Sequence, residues 1–217
     1  MRPSAPSLRI ASLVVAGTLT ACFAGVPAAA ALVTFDDLSD PAGIGTPIAS
    51  PYAGFSWDNF DVLNVPAFAA SSPGTGYEAA LQSGSNVGFN AYGNAATISA
   101  AAPFSLLDGT FASAFWSTLQ VTVTGSLGGT QVVSQTFDLG QNPASHIVFD
   151  PGFRNVDSVT FTATGVAPGQ TTPPGTQFGV DDLNLVSSVP EPSGLALALA
   201  GMLTLGCSAS LRRRPLS

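Results

Sequence analysis

The chain has 217 residues, 46% hydrophobic and only 9% charged, with six Lys plus Arg against thirteen Asp plus Glu. So few bases exclude a nucleic-acid binder, because neutralising phosphates takes clustered Lys and Arg. Low charge with many Gly and Pro points to an exported β-rich protein rather than a cytosolic enzyme.

Arg2 and Arg9 form a basic start, Ile10 to Ala24 an apolar run, and Pro27 to Ala31 a small-residue stretch. This pattern predicts a signal peptide over residues 1–30, cut by signal peptidase around Ala29 to Ala31. Leu19-Thr20-Ala21-Cys22 also resembles a lipobox, and on that competing reading Cys22 becomes a lipidated first residue. The two cysteines, Cys22 and Cys207, lie in the two hydrophobic ends, so the extracytoplasmic domain, residues 31–188, has no disulfide. That domain holds twelve acids against the single base Arg154.

From Leu32 onward, short β-branched and aromatic segments alternate with Gly, Pro, Asn and Ser, an all-β signature. Leu32 to Phe35 is a first strand running into Asp36 and Asp37, and Ser39 to Pro51 is an irregular loop. Gly54 to Leu63 reads as a strand or a bulged strand pair, followed by a small-residue loop from Asn64 to Gly76. Val87 to Ala91 and Ala96 to Ala100 look like a hairpin turning at Gly93-Asn94. Thr110 to Trp116, Leu119 to Thr124 and Thr130 to Leu139 alternate apolar with Ser, Thr or Gln, as a half-buried sheet requires. His146 to Phe149, Val156 to Thr164 and Gln177 to Val186 complete the set. No segment of the domain reads as a helix. About ten strands in one domain predict an all-β, two-sheet β-sandwich that is jelly-roll-like.

Two acidic pairs frame the domain, Asp36-Asp37 after the first strand and Asp181-Asp182 in the last. Adjacent strand residues face opposite sides, so one carboxylate of the second pair must point toward the packed face or the edge. A hydrogen-bonding turn or a cation would relieve the cost of that burial. Gly179-Val180-Asp181-Asp182-Leu183 resembles the last strand of carbohydrate-binding jelly-roll modules, in which a carboxylate helps hold a structural Ca2+. The resemblance implies Asp36, Asp181 and Asp182 as calcium ligands, and Ca2+ does favour such an all-oxygen set. The other reading has the pairs ending strands and capping turns in water. Asp58 and Asp61 form another oxygen cluster at a spacing that any turn gives.

Among the aromatics, Trp57 and Trp116 are expected in the core, whereas Tyr77 and Tyr92, in Gly- and Asn-rich surroundings, are expected to be exposed for stacking on sugars. His146 reads as an ordinary strand residue. No Gly-x-Ser-x-Gly elbow is present, and a glycoside hydrolase would have to pair an Asp with the domain's single glutamate, Glu78. No catalytic residues are assigned.

The last segment, residues 189–217, joins Val189-Pro190-Glu191-Pro192 to an uncharged run, Ser193 to Leu211, and ends in Arg212, Arg213 and Arg214. As a helix that run is about 28 Å long, close to the roughly 30 Å of a bilayer's hydrocarbon core. The arginines stay on the cytoplasmic side, leaving the preceding domain outside. Motif, helix and arginine cluster in this order resemble the PEP-CTERM sorting signal of Gram-negative bacteria. The resemblance implies that an exosortase recognises Pro190, Glu191 and Pro192, that the transmembrane helix anchors the chain in the inner membrane before processing, and that the arginines act as the stop. The expected protein is then a non-catalytic component of the cell envelope or extracellular matrix, bound to exopolysaccharide in biofilm. The alternatives are a secreted carbohydrate-active hydrolase using Glu78, or an inert coat protein.

Overall fold

The computed structural model of the protein describes residues 30–165 and 175–187. The signal peptide, Cys22, the motif Pro190-Glu191-Pro192, the transmembrane helix and Arg212 to Arg214 lie outside the described residues. Among the described residues no helix is long and apolar enough to cross a membrane.

In chain order the elements are β1 (Ala30–Val33), β2 (Thr46–Pro47), β3 (Ser56–Asp58), β4 (Phe60–Asn64), α1 (Val65–Ala69), α2 (Gly76–Ala80), β5 (Asn86–Asn90), β6 (Ala96–Ser113), β7 (Leu119–Leu127), β8 (Thr130–Leu139), β9 (Ser145–Val148), β10 (Val156–Thr164) and β11 (Phe178–Ser187). The strands form one antiparallel ladder in the order β2-β4-β5-β11-β6-β10-β7-β8, with β1 on β11 and both β3 and β9 on β6. The expected all-β antiparallel class is therefore present.

The long strand β6 belongs to both halves of the ladder. Its first part, Ala96 to Ser99, pairs with β10, and Ser105 to Ser113 pair with β11. Between them Ala100 to Pro103 oppose Asp157 alone, because the register jumps from Val156–Phe104 to Ser158–Ser99. Pro103 has no N–H to give a ladder and falls inside that bulge. The two halves meet through phenylalanines. Phe161 of β10 lies 6.1 Å from Phe111 of β6 and 5.9 Å from Phe178 of β11, and Phe60 of β4 meets Phe161 edge-on at 5.8 Å. Alternation supplies the rest of the core: Leu119, Val121 and Val123 of β7 are buried while Gln120 between them is exposed.

Two expectations fail here. β5 pairs with β4 and β11, not with the start of β6, so the predicted hairpin around Gly93-Asn94 does not exist. Ala91 to Gly93 instead form a 3-10 turn with Tyr92 left-handed (φ 57°), carrying the chain from one half of the ladder to the other. The predicted loop after Asn64 contains α1 and leads into α2. Asn64 caps α1 by accepting the Ala67 N–H at 3.0 Å, with Pro66 in the first turn, where its missing N–H costs nothing. Gly76 opens α2 against the Ser113 carbonyl, where a Cβ would collide with that oxygen.

Candidate functional site

β1 lies antiparallel to the second half of β11, with Val33 opposite Leu183. This pairing brings the two acidic pairs to the same end of the ladder. After β1 the backbone of Phe35 turns left-handed (φ 61°), which sends its ring into the core against Trp57 at 5.7 Å and Tyr52 at 6.1 Å. On β11 the ladder breaks between Asp181 and Asn184, with Asp182 left-handed at φ 50°. The bulge turns Asp181 inward, where it is fully buried.

All three candidate metal ligands converge on one loop, Gln82 to Asn86. Oδ2 of Asp181 accepts the N–H groups of Gln82 at 2.8 Å and Ser83 at 3.0 Å, and its Oδ1 accepts the Asp182 N–H at 2.7 Å. Oδ1 of Asp36 accepts the N–H groups of Ser85 at 2.8 Å and Asn86 at 3.2 Å. The Ser83 hydroxyl stands 3.3 Å from both Asp36 Oδ2 and Asp182 Oδ1. Gly84 closes the loop at φ 50°, with the Asp36 carboxylate occupying the space of a Cβ. Asn86, which sequence reasoning passed over, locks the other side by donating to the carbonyls of Phe35 at 3.1 Å and Leu38 at 2.9 Å.

This arrangement does not fit Ca2+. A calcium ion needs about six to eight converging oxygens, whereas these carboxylates face amide and hydroxyl hydrogens. Among the described residues no group of three or more His, Cys, Asp or Glu side chains is arranged to hold a metal. A turn of three backbone N–H groups relieves the buried carboxylate. Burial raises Asp181 from 3.8 to about 6, with the three N–H bonds pulling it down and the Asp182 charge pushing it up. Asp40 repeats the device. Buried, it accepts N–H groups from Gly45 at 3.2 Å and Asn64 at 3.1 Å. Burial, and then the charge of Asp40, raise Asp61.

Beside the acidic loop lies an open cleft of about 490 Å³, lined by Leu32 to Thr34, Asp36, Asp37, Tyr52 and Ala53. Its far wall is the tight turn Tyr52 to Phe55, whose end residues exchange backbone hydrogen bonds at 2.9 Å. Ala53 (φ 50°) and Gly54 (φ 86°) are both left-handed, as a primed turn requires. Phe35 and Ala53, two of the few non-glycine residues held in that region, thus bracket the cleft, and such strain concentrates at functional sites. The Tyr52 hydroxyl donates to Asp37 Oδ1 at 2.7 Å. Burial, then that bond and the Asp37 charge, raise the phenol further above its ordinary range, so it is a neutral donor at any physiological pH. The lining offers an aromatic ring, two exposed carboxylates and no base.

The other sequence candidates lie elsewhere. Trp57 is buried as expected, its Nε1 donating to the Tyr52 carbonyl at 2.9 Å, and Trp116 is half-buried. Tyr92 is 84% exposed, as expected. Tyr77 corrects the reading: only 3% exposed, it is held by α2 edge-on to Phe68, Phe89 and Phe115. Glu78 accepts the Gly74 N–H at 2.8 Å ahead of α2, and His146 sits on β9 with Nε2 3.9 Å from Asp108 Oδ1. Neither lines the cleft.

No family model and no curated protein matches the chain. Among solved structures it is similar to a DUF4465 family protein from Bacteroides caccae, with TM-score 0.52 and 16% identity over 74% of this chain and 100% of that one. A DUF4465 family protein from Bacteroides ovatus follows at TM-score 0.43 and 11% identity, covering 60% of this chain and 72% of that one. TmCBM61 in complex with β-1,4-galactotriose stands at TM-score 0.36 and 12% identity, covering 64% of this chain and 90% of that one. The first likeness shows a shared fold.

Proposed function

We propose that this chain is an exported cell-envelope protein, sorted by an exosortase through Pro190, Glu191 and Pro192, whose jelly-roll-like β-sandwich binds neutral polysaccharide without cleaving it. The observation that carries the binding reading is the cleft beside β1. A sugar is held by an aromatic face for its C–H surface and by carboxylates and a phenol for its hydroxyls. Tyr52, Asp36 and Asp37 supply both in a cleft large enough for one or two sugar rings. With no base in the lining, uronic acids and phosphorylated glycans find no counter-charge, so the ligand class is neutral.

Calorimetric titration with a neutral exopolysaccharide tests this. Tyr52→Phe and Asp37→Asn each weaken binding roughly 5- to 10-fold, the size of one lost hydrogen bond. No reducing ends appear on prolonged incubation. Absence of binding by the unsubstituted protein, or binding by both variants as tight as by the unsubstituted protein, refutes the site, and steady release of reducing ends refutes the non-catalytic reading.

The tail carries the sorting reading. The mass of the protein recovered from the envelope and medium of the native host is expected to end near Val189 to Pro192, while Glu191→Ala keeps Leu195 to Ser217 in the membrane. If both proteins retain the tail, the segment is a plain anchor.

A further inference from the structure

An edge strand presents a row of unpaired backbone N–H and C=O groups, and β proteins blunt such edges by shortening, charging or covering them. Most free edges here are blunted in that way. β1, β2, β3 and β9 each have four residues or fewer, β2 ends in Pro47, and β3 carries Asp58. β8 is the exception. It runs for ten residues at the end of the ladder, and among the described residues it pairs with β7 alone. It contains no Pro, Lys or Arg, and its single charge, Asp138, is next to last.

The geometry of β8 sharpens which part is open. A bulge between Gly125 and Ser126 of β7 displaces its first residues, whereas Val133 to Leu139 stay in unbroken register opposite Gly125 to Leu119. In such a register every other residue turns its N–H and C=O away from the partner, giving about three or four outward pairs. The inner side of the strand is fixed, because Gln135 donates to the Val148 carbonyl at 3.2 Å and accepts the Asp150 N–H at 2.9 Å. On the outer side Thr136, exposed, is bonded to Thr122 at 2.9 Å. The open edge is thus held straight from both faces.

We infer that Val133 to Leu139 is the joint through which two copies of this chain pair edge to edge, antiparallel about a two-fold axis through Thr136. A second copy is the occupant for three reasons. With twelve acids against Arg154 in residues 31–188, two copies repel over most of their surface, and Val133 to Phe137 is an uncharged stretch where they can meet. The axis through Thr136 sets Asp138 opposite Ser134 rather than opposite its own copy. No other edge among the described residues is long enough to receive β8, so head-to-tail growth lacks an acceptor and the self-complementary pair closes. On the inner side the same register brings Val133 to Leu139 and Gln135 to Phe137 of the other copy, extending the half-buried apolar strip.

Sedimentation velocity on the mature full chain tests the joint. The protein is expected to sediment at twice the monomer mass. Thr136→Lys and Thr136→Glu, at an exposed position, each place like charges across the axis and return a monomer that still folds, seen as an unchanged far-ultraviolet circular dichroism spectrum. An equimolar mixture of the two variants restores the dimer, since Lys then faces Glu. A monomeric unsubstituted protein at every concentration up to its solubility limit overturns the inference, as does a dimer that survives both substitutions or a mixture that stays monomeric.

Discussion

Titration of Asp181 offers a quantitative check on how the acidic loop is held. Burial raises this carboxyl from 3.8 to about 6. Between those values the native state binds more protons than the unfolded chain, so stability is highest below about pH 4 and falls as pH rises through 6. The full shift corresponds to about 3 kcal/mol, and allowing for water near the exposed neighbours Gln82 and Asp36 brings it to about 1–3 kcal/mol. For a domain of this size, that is a melting temperature roughly 3–10 °C lower at pH 7.5 than at pH 4.5 from this group alone. Asp61 is raised too, so the total profile is not attributable to one residue. Calorimetric melts of the unsubstituted protein and Asp181→Asn across that range isolate the effect, because the amide does not titrate. The difference between the two melting temperatures must change by several degrees across pH 4.5 to 7.5. A constant difference, or one that changes in the opposite sense, refutes the assignment of a burial-raised carboxyl held by three backbone N–H groups.

The remaining predictions concern metal, loop and core. Because amide and hydroxyl hydrogens meet the carboxylates of Asp36, Asp181 and Asp182, adding EDTA is expected to leave the melting temperature unchanged; a fall of several degrees means that a cation belongs among these residues. Gly84→Ala forces a left-handed alanine and pushes its Cβ into the Asp36 carboxylate. It is expected to cost about 1–3 kcal/mol in urea unfolding, whereas an unaffected midpoint means the loop is free to rearrange. Phe161→Ala removes a ring in contact with Phe60, Phe111, Phe149 and Phe178, and is expected to cost about 3–5 kcal/mol. A loss below about 1 kcal/mol would show that the two halves of the ladder do not share this core.

What the sequence disclosed and what it concealed separate along the range of the interactions. β8 was legible to the residue and β7 from its start, though β7 runs three residues past the expected Thr124 to a two-residue turn at Gly128-Gly129; their alternation is set by their own inner face. The hairpin expected at Gly93-Asn94 failed for the opposite reason. Its local turn chemistry was sound, but β5 is claimed by β4 and by β11, whose partner residues lie far along the chain. Five-residue helices such as α1 and α2 are too short to print a periodicity, and with α2 unseen the burial of its own Tyr77 was unseen as well.

The acidic site shows the same division inside a handful of residues. That Asp36, Asp181 and Asp182 belong together could be read from the sequence, since the first and last strands carry them and β1 does pair with β11. What they hold was not legible: the bonded residues of the loop from Gln82 to Asn86 lie 47 to 50 residues from Asp36 along the chain and 98 to 99 from Asp181 and Asp182. An Asp pair in a strand announces a buried carboxylate in need of positive potential, and neither composition nor spacing says whether a cation or a row of amides supplies it. In a chain with no lysine and one arginine in its extracytoplasmic domain, amides are the abundant source. The same economy appears at Asp40, whose carboxylate gathers the amides of Gly45 and Asn64 and so ties the loop before β2 to the end of β4. Carboxylates in this protein therefore fasten loops to strands, and Asp37, held only by the Tyr52 phenol among the bonds described, is the acid that this structural role leaves facing the cleft.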